Sequence, residues 1–132
     1  MNFRTEEEID HFLSTFDSGA LPGYCWTHAA HVAMCAAVLW KSGTIEEIRA
    51  GIQRYNESQG TPASFYHETL TRFWVETVRG YLASLGQVSR LEAVRGAIKT
   101  YGLDSALPAK RYTFDVFNSS EARVQWIAPD VA

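Results

Sequence analysis

The segment THAAHVAMCAAVLW, residues 27–40, decides the fold of this chain, because its only hydrophilic side chains, Thr27, His28 and His31, lie at its start. A helix that is apolar on nearly every face belongs in the interior of a domain. The apolar run is far too short to cross a membrane. The segment therefore predicts a central, buried helix over residues 27–42.

The helices around this centre are predicted by apolar residues that recur three or four positions apart. The segments with that spacing are residues 5–17, 45–59, 65–85 and 90–101. A hydroxyl residue three positions before a glutamate is the pattern of a capping box. That pattern opens three of the segments, at Thr5 and Glu8, Thr44 and Glu47, and Ser89 and Glu92.

The C-terminal part of the chain is less regular. Ser119 or Ser120 is expected to open a short last helix that runs to Trp126 and ends before Pro129. No segment alternates over the length of a strand, and neither a repeat nor a linker is evident. We therefore expect one all-α domain over residues 1–132, a single-domain bundle of about five main helices with a short C-terminal helix.

Charge and cysteine content narrow the classes of partner. The chain has 12 Lys and Arg against 15 Asp and Glu, a formal net charge of −3, and the basic residues form no cluster. This balance favours neither nucleic acid nor an anionic membrane. Cys25 and Cys35 match no metal-ligand or redox spacing, and the start of the chain, MNFRTEEE, lacks the pattern of a secretory signal. We expect a reduced, cytoplasmic protein.

Three of the four histidines lie in two short motifs, WTHAAH at residues 26–31 and YHET at residues 66–69. If Thr27 is the N-cap of the central helix, His28 and His31 lie one helical turn apart. Residues with that spacing occupy neighbouring positions on one face. The first motif therefore predicts two imidazoles side by side.

The second motif lies at the predicted start of the fourth main helix. With Ser64 as its N-cap, His67 falls in the first turn. The positive end of a helix dipole disfavours an imidazolium. We expect these histidines to be neutral at pH 7, the form that binds a metal or accepts a proton.

The sharpest interpretation of the motifs is a metal enzyme that acts on a small molecule. His28, His31 and His67 would hold one divalent metal, since three protein ligands with an open position are typical of catalytic sites. Imidazole ligands suit Zn, Cu, Fe or Ni. The metal would polarise a substrate oxygen or activate a water, and Glu68 or Tyr66 would move the proton.

Aromatic side chains beside the histidines predict a pocket for the ligand. Trp26 and Phe65 would line an apolar cleft with a few polar groups, which is the usual form of a small-molecule site. Arg54, at the end of the third main helix, could bind a carboxylate on the ligand.

Other interpretations stay open. The pocket could be free of metal, with one neutral histidine acting as a base or simply binding a ligand. The chain could instead be an interaction module whose aromatic surface forms a homodimer. The plainest alternative is structural, with each ring nitrogen bonded to a backbone carbonyl or a carboxylate.

Several motifs occur here in a familiar order. They are Leu21-Pro22, Trp26-Thr27-His28-x-x-His31, Ile48-Arg49-x-Gly51-Ile52-x-Arg54-Tyr55-Asn56, Tyr66-His67-Glu68-Thr69 and Glu121-Ala122-Arg123-x-x-Trp126-x-x-Pro129-Asp130. In this the chain resembles a family of small, all-helical bacterial proteins that has no settled activity. The resemblance implies one domain across most of the chain and draws attention to the histidine motifs, but it supplies no reaction.

Overall fold

The computed structural model describes residues 1–132 and contains six α-helices and no strand. The helices are α1 Glu6–Ser18, α2 His28–Trp40, α3 Ile45–Ser58, α4 Glu68–Leu85, α5 Arg90–Tyr101 and α6 Ser120–Val124. Three short 3₁₀ helices connect them, at Gly23–Cys25, Ala63–Phe65 and Leu107–Lys110. The prediction of an all-α bundle with five main helices and a short last one is confirmed.

Helix α2 is the centre of the bundle, as its composition predicts. Its residues from Val32 to Ala37 are all buried, and it packs against α4 and α5. Several of these residues are alanines, so neighbouring helices approach closely along this face. None of the helices combines the length and the apolar character that crossing a lipid bilayer requires.

The helix starts are set by hydroxyl caps. Thr5 forms the complete reciprocal box, in which its side chain accepts from the Glu8 amide and the Glu8 carboxylate accepts from the Thr5 amide. Thr44 and Ser89 also cap their helices, but there the glutamate does not return the bond. Two of the three predicted boxes are therefore simple caps.

Helix α4 begins later than the sequence pattern predicts. Residues 63–65 form a 3₁₀ turn after Pro62, and Tyr66 is extended at φ −62° and ψ 141°. His67 is the N-cap of α4, and its side chain accepts from the Leu70 amide at 3.1 Å. Ser64 is thus not the cap, and His67 lies just before the helix rather than in its first turn.

The chain contains an internal structural repeat that the sequence pattern does not indicate. Each half has a threonine-capped helix, a proline, a three-residue 3₁₀ helix, an aromatic residue, an N-cap and a long helix. Pro22 and Pro62, which precede the two 3₁₀ helices, share the same backbone angles, φ −58° and ψ 142°. The first half is α1 to α2, and the second is α3 to α4.

Side chains follow the same repeat. Thr27 and His67 are the equivalent N-caps, and each accepts from the amide three residues on. His31 and Thr71 are equivalent one turn later, and each bonds the carbonyl four residues back. Equivalent helices also touch, α1 with α3 and α2 with α4. The interior between α2 and α4 is therefore built from matched positions of the two halves.

The chain after α5 forms a second, smaller core on α4. Phe73 of α4 is buried there with Tyr112, Val116 and Ala122. Residues 112–117 form bends and a turn rather than a strand. The importance of this segment for the site is that it brings the Val116 carbonyl to His67.

Candidate functional site

A cavity of about 520 Å³ lies between the first turns of α2 and α4. Its walls are mostly apolar, and all three motif histidines contribute to them. Four pairs of repeat-equivalent residues line it: Trp26 and Tyr66, His31 and Thr71, Met34 and Trp74, and Cys35 and Val75. We call this cavity the histidine pocket. It lies where the two halves of the repeat face each other.

His31 is held by the backbone and by an aromatic ring. Its Nδ1 lies 2.8 Å from the Thr27 carbonyl oxygen, which can only accept, so Nδ1 carries the proton. The ring lies against Trp26, with centroids 3.7 Å apart. The other nitrogen, Nε2, makes no hydrogen bond within the chain. Since no fully buried side-chain nitrogen or oxygen lacks a partner, Nε2 keeps some contact with solvent, and it is an unpaired acceptor on a residue that lines the pocket.

His28 joins the start of α2 to the end of α5. Its Nε2 donates to the Tyr101 carbonyl at 3.0 Å, which satisfies one of the free carbonyls at the end of α5. The ring also meets the edge of Trp74 at a centroid distance of 4.6 Å. Its Nδ1 is left as a second accessible acceptor, by the same reasoning as for His31.

His67 is committed to the backbone at both nitrogens. Nδ1 accepts from the Leu70 amide, and Nε2 donates to the Val116 carbonyl at 2.9 Å. The residue is buried, with only 8% of its surface exposed. It therefore has no lone pair for a metal or a ligand, and its role is to tie α4 to the C-terminal segment.

The prediction of a metal enzyme built on His28, His31 and His67 is wrong. Nowhere in the fold do three or more His, Cys, Asp or Glu side chains converge as a metal would require. The physical reason is that backbone groups engage one nitrogen of His28, one of His31 and both of His67, so His67 has no lone pair left to complete a three-histidine site. The structural interpretation of the rings, with their nitrogens on backbone carbonyls, describes these contacts.

All three rings favour the neutral state. Burial lowers the pKa of His31 to about 4, because the surrounding apolar groups disfavour the charged form. Burial also lowers the pKa of His28 and that of His67. The expectation of neutral imidazoles is thus supported, with burial rather than the helix dipole as the main cause.

The thiol in the pocket is held in its protonated form. Burial raises the pKa of Cys35 to about 12, so the group stays protonated at pH 7. The pocket contains no charged side chain among the residues that line it. Its polar character therefore comes from neutral groups, and the accessible imidazole nitrogens are acceptors.

Tyr66 and Glu68, the predicted proton-transfer residues, belong to an ion-pair network at the edge of the pocket, and Tyr66 also lines the pocket. Arg49 donates two hydrogen bonds to the Glu68 carboxylate, at 2.8 and 2.7 Å. Tyr66 donates a third to the same carboxylate, at 2.7 Å. The bond from Arg49 holds the pKa of Glu68 below its ordinary value. Glu68 is therefore a paired carboxylate whose partner is Arg49, and a catalytic role for either residue stays a prediction.

Of the three predicted ligand-binding residues, two line the pocket and one does not. Trp26 and Phe65 line the pocket, and Phe65 is 65% exposed at its rim. Arg54 lies outside it and pairs loosely with Asp17 at 3.3 Å. Trp74 of α4 also lines the pocket.

Among the lining residues that sequence reasoning missed are two with unpaired polar side chains, Asn56 and Thr61. Asn56 lies in the last turn of α3 and Thr61 follows the turn at Gly60, and neither side chain makes a hydrogen bond within the chain. A signal existed, since Asn56 belongs to the Arg54-Tyr55-Asn56 motif. Polar residues near helix ends are so common, however, that the position of Asn56 in the sequence does not by itself predict a pocket residue.

Comparison with known proteins gives no match, whether to a protein-family model, a curated protein or a solved structure. The resemblance to a family of small bacterial proteins therefore stays a prediction.

Proposed function

We propose that the chain binds a small, predominantly apolar molecule in the histidine pocket, and that the ligand donates a hydrogen bond to Nε2 of His31. The observation that carries this proposal is the accessible acceptor on a fixed, neutral ring in a cavity of about 520 Å³. An apolar cavity with a few oriented polar groups is the usual form of a ligand site.

The protonation of His31 favours binding over acid–base catalysis. A general base works best when its conjugate acid has a pKa near the operating pH. With a pKa of about 4, His31 is a weak base at pH 7. A weak base of this kind still accepts a hydrogen bond, and because its ring is fixed by Thr27 and Trp26, little order is lost on binding.

The walls favour a flat or compact apolar ligand. Trp26 and Trp74 supply aromatic surface, and Met34, Ile52 and Leu70 supply aliphatic surface. Methionine adapts its shape to the molecule beside it. A ligand with one N–H or O–H group on an aromatic body would satisfy both the walls and the His31 acceptor.

The test compares indole with 1-methylindole, which lacks the N–H donor. Trp26 and Trp74 line the pocket, but their fluorescence overlaps that of an indole ligand. Calorimetry is therefore the primary measurement. We expect indole to bind about tenfold more tightly than 1-methylindole, since the methyl compound leaves the Nε2 acceptor without a partner.

Two variants complete the experiment. His31→Leu should bring the affinity for indole down to that for 1-methylindole, whereas His11→Leu, on the exposed face of α1, should change neither affinity. If His31→Leu left the preference for indole intact, or if neither compound bound to the wild type, the proposal would be wrong.

A further inference from the structure

A second cavity, of about 480 Å³, adjoins the histidine pocket. Three residues line both cavities: Asn56, Thr61 and Tyr66. The remaining walls of the second cavity come from the end of α3 and the turn that follows it. We call this second cavity the outer chamber, and the three shared residues form the neck between it and the pocket.

The outer chamber is lined by polar side chains that the fold does not use. Gln53, Asn56, Glu57 and Thr61 contribute to its wall, and none of their side chains makes a hydrogen bond or ion pair within the chain. By contrast, Tyr66 at the neck is held by Glu68. The chamber therefore offers a set of free polar groups, and a bound molecule could pair with them without breaking an existing contact.

The charged and partially charged groups that line the two cavities are negative. Glu57 is the only charged side chain among all the residues that line either of them. The accessible nitrogens of His28 and His31 are acceptors, so the inner pocket adds partial negative charge in the same sense. Arg49 is bound to Glu68 and lines a neighbouring cleft, which shares Gln53, Ala63 and Tyr66 with the outer chamber. An anionic group would find no cationic partner in either cavity.

From these features we propose that the ligand is an amphiphilic amine, with an apolar body in the histidine pocket and an ammonium group in the outer chamber beside Glu57. This inference rests on the proposed function, since it assigns a chemical class to the ligand of the same pocket. The ammonium group would donate to the Glu57 carboxylate and to the free oxygens of Asn56 and Thr61. Because the chamber is open to solvent, the charge stays partly hydrated and the cost of desolvation is small.

The test uses three indoles that differ only at the end of a two-carbon chain. Tryptamine carries an ammonium group, tryptophol a hydroxyl, and indole-3-propionate a carboxylate. Calorimetry at low salt should rank tryptamine above tryptophol and tryptophol above the acid, with tryptamine about fivefold tighter than tryptophol. Raising the salt concentration should narrow the difference, because the chamber is exposed to solvent.

The variant Glu57→Gln keeps the size of the side chain and removes its charge. It should bring the affinity for tryptamine down to that for tryptophol while leaving the affinity for tryptophol unchanged. Glu46→Gln is the matched control, since Glu46 lies on the same helix, is exposed and lines neither cavity. It should leave the preference for tryptamine unchanged.

The possible failures are distinguishable. If the three compounds bound equally well, or if Glu57→Gln kept the preference for the amine, the amine class would be wrong while the apolar pocket stood. If the acid bound most tightly, the charge argument would be reversed and therefore wrong. If none of the three bound and indole did not bind either, both the proposed function and this inference would fall.

Discussion

Phe16 and Tyr55 stack with their ring centroids 5.3 Å apart, although one lies in the first half of the repeat and the other at the equivalent position of the second. Trp26 packs on both rings, at 4.6 and 5.2 Å. The face of Trp26 also meets His31. One continuous aromatic cluster thus forms both the contact between the two halves and part of the wall of the histidine pocket. A substitution at the contact should therefore also alter the pocket.

The hydroxyl of Tyr55 provides the first prediction. It donates to the Leu21 carbonyl at 2.7 Å, in a buried position. Tyr55→Phe keeps the ring stack but leaves that carbonyl unpaired, so the free energy of unfolding should fall by about 1–2 kcal/mol. Urea denaturation measures the change. Tyr24→Phe, at a side chain that is 86% exposed, should cost less than about 0.5 kcal/mol. Equal effects of the two changes would show that the hydrogen bond from Tyr55 to the Leu21 carbonyl does not stabilise the fold.

A second prediction concerns His67 as a cap. His67→Ala removes both the acceptor for the Leu70 amide and the donor to the Val116 carbonyl. The loss should be about 2–3 kcal/mol, the sum of a lost N-cap and an unpaired buried carbonyl. Thr44→Ala, which removes a cap alone, should cost about 1 kcal/mol. Thermal unfolding compares them, and a smaller loss for His67→Ala than for Thr44→Ala would show that the Val116 contact contributes nothing.

The helices could be predicted from the sequence because their signals are local. Caps such as Thr5 and Ser119, and apolar spacing, are written within a few residues of where they act. The start of α4 failed because Ser64 is the stronger cap by local rules, while the 3₁₀ turn after Pro62 moves the helix start to His67. The repeat was missed because its halves share few identical residues.

The site was harder to predict than the helices. Spacing correctly indicated that His28 and His31 begin the central helix and that aromatic residues lie beside them. What spacing cannot reveal is the partner of each ring nitrogen, because the carbonyls of Tyr101 and Val116 come from distant parts of the chain. Those two contacts occupy ring nitrogens that the predicted metal site required, and the result is a pocket lined by neutral groups.

The third prediction is a coupling between Arg49 and Glu68. Their paired hydrogen bonds join α3 to the first turn of α4, and the side chains are 30% and 16% exposed. A double-mutant cycle with Arg49→Met and Glu68→Gln should give a coupling energy of about 1–2 kcal/mol, reduced at high salt. The exposed pair of Arg79 and Glu76 is the control and should give less than about 0.5 kcal/mol. A coupling energy near zero for Arg49 and Glu68 would mean that the pair does not hold α4 in place.

The last prediction follows from the burial of His31. Its pKa falls from the ordinary value of 6.5 to about 4 on folding. Between these values the unfolded chain binds a proton that the folded ring does not, so stability is lost as the pH falls from 7 toward 4. When the pH is lowered from 7 to 5, the free energy of unfolding of the wild type should fall by about 1–2 kcal/mol more than that of His31→Gln, whose side chain cannot bind the proton. Urea denaturation at the two pH values measures the difference, and carboxylates contribute equally to both proteins. Parallel losses would show that His31 titrates normally in the folded state. The acceptor at the wall of the pocket would then be protonated below pH 6, and binding of a hydrogen-bond donor there would weaken in the same range.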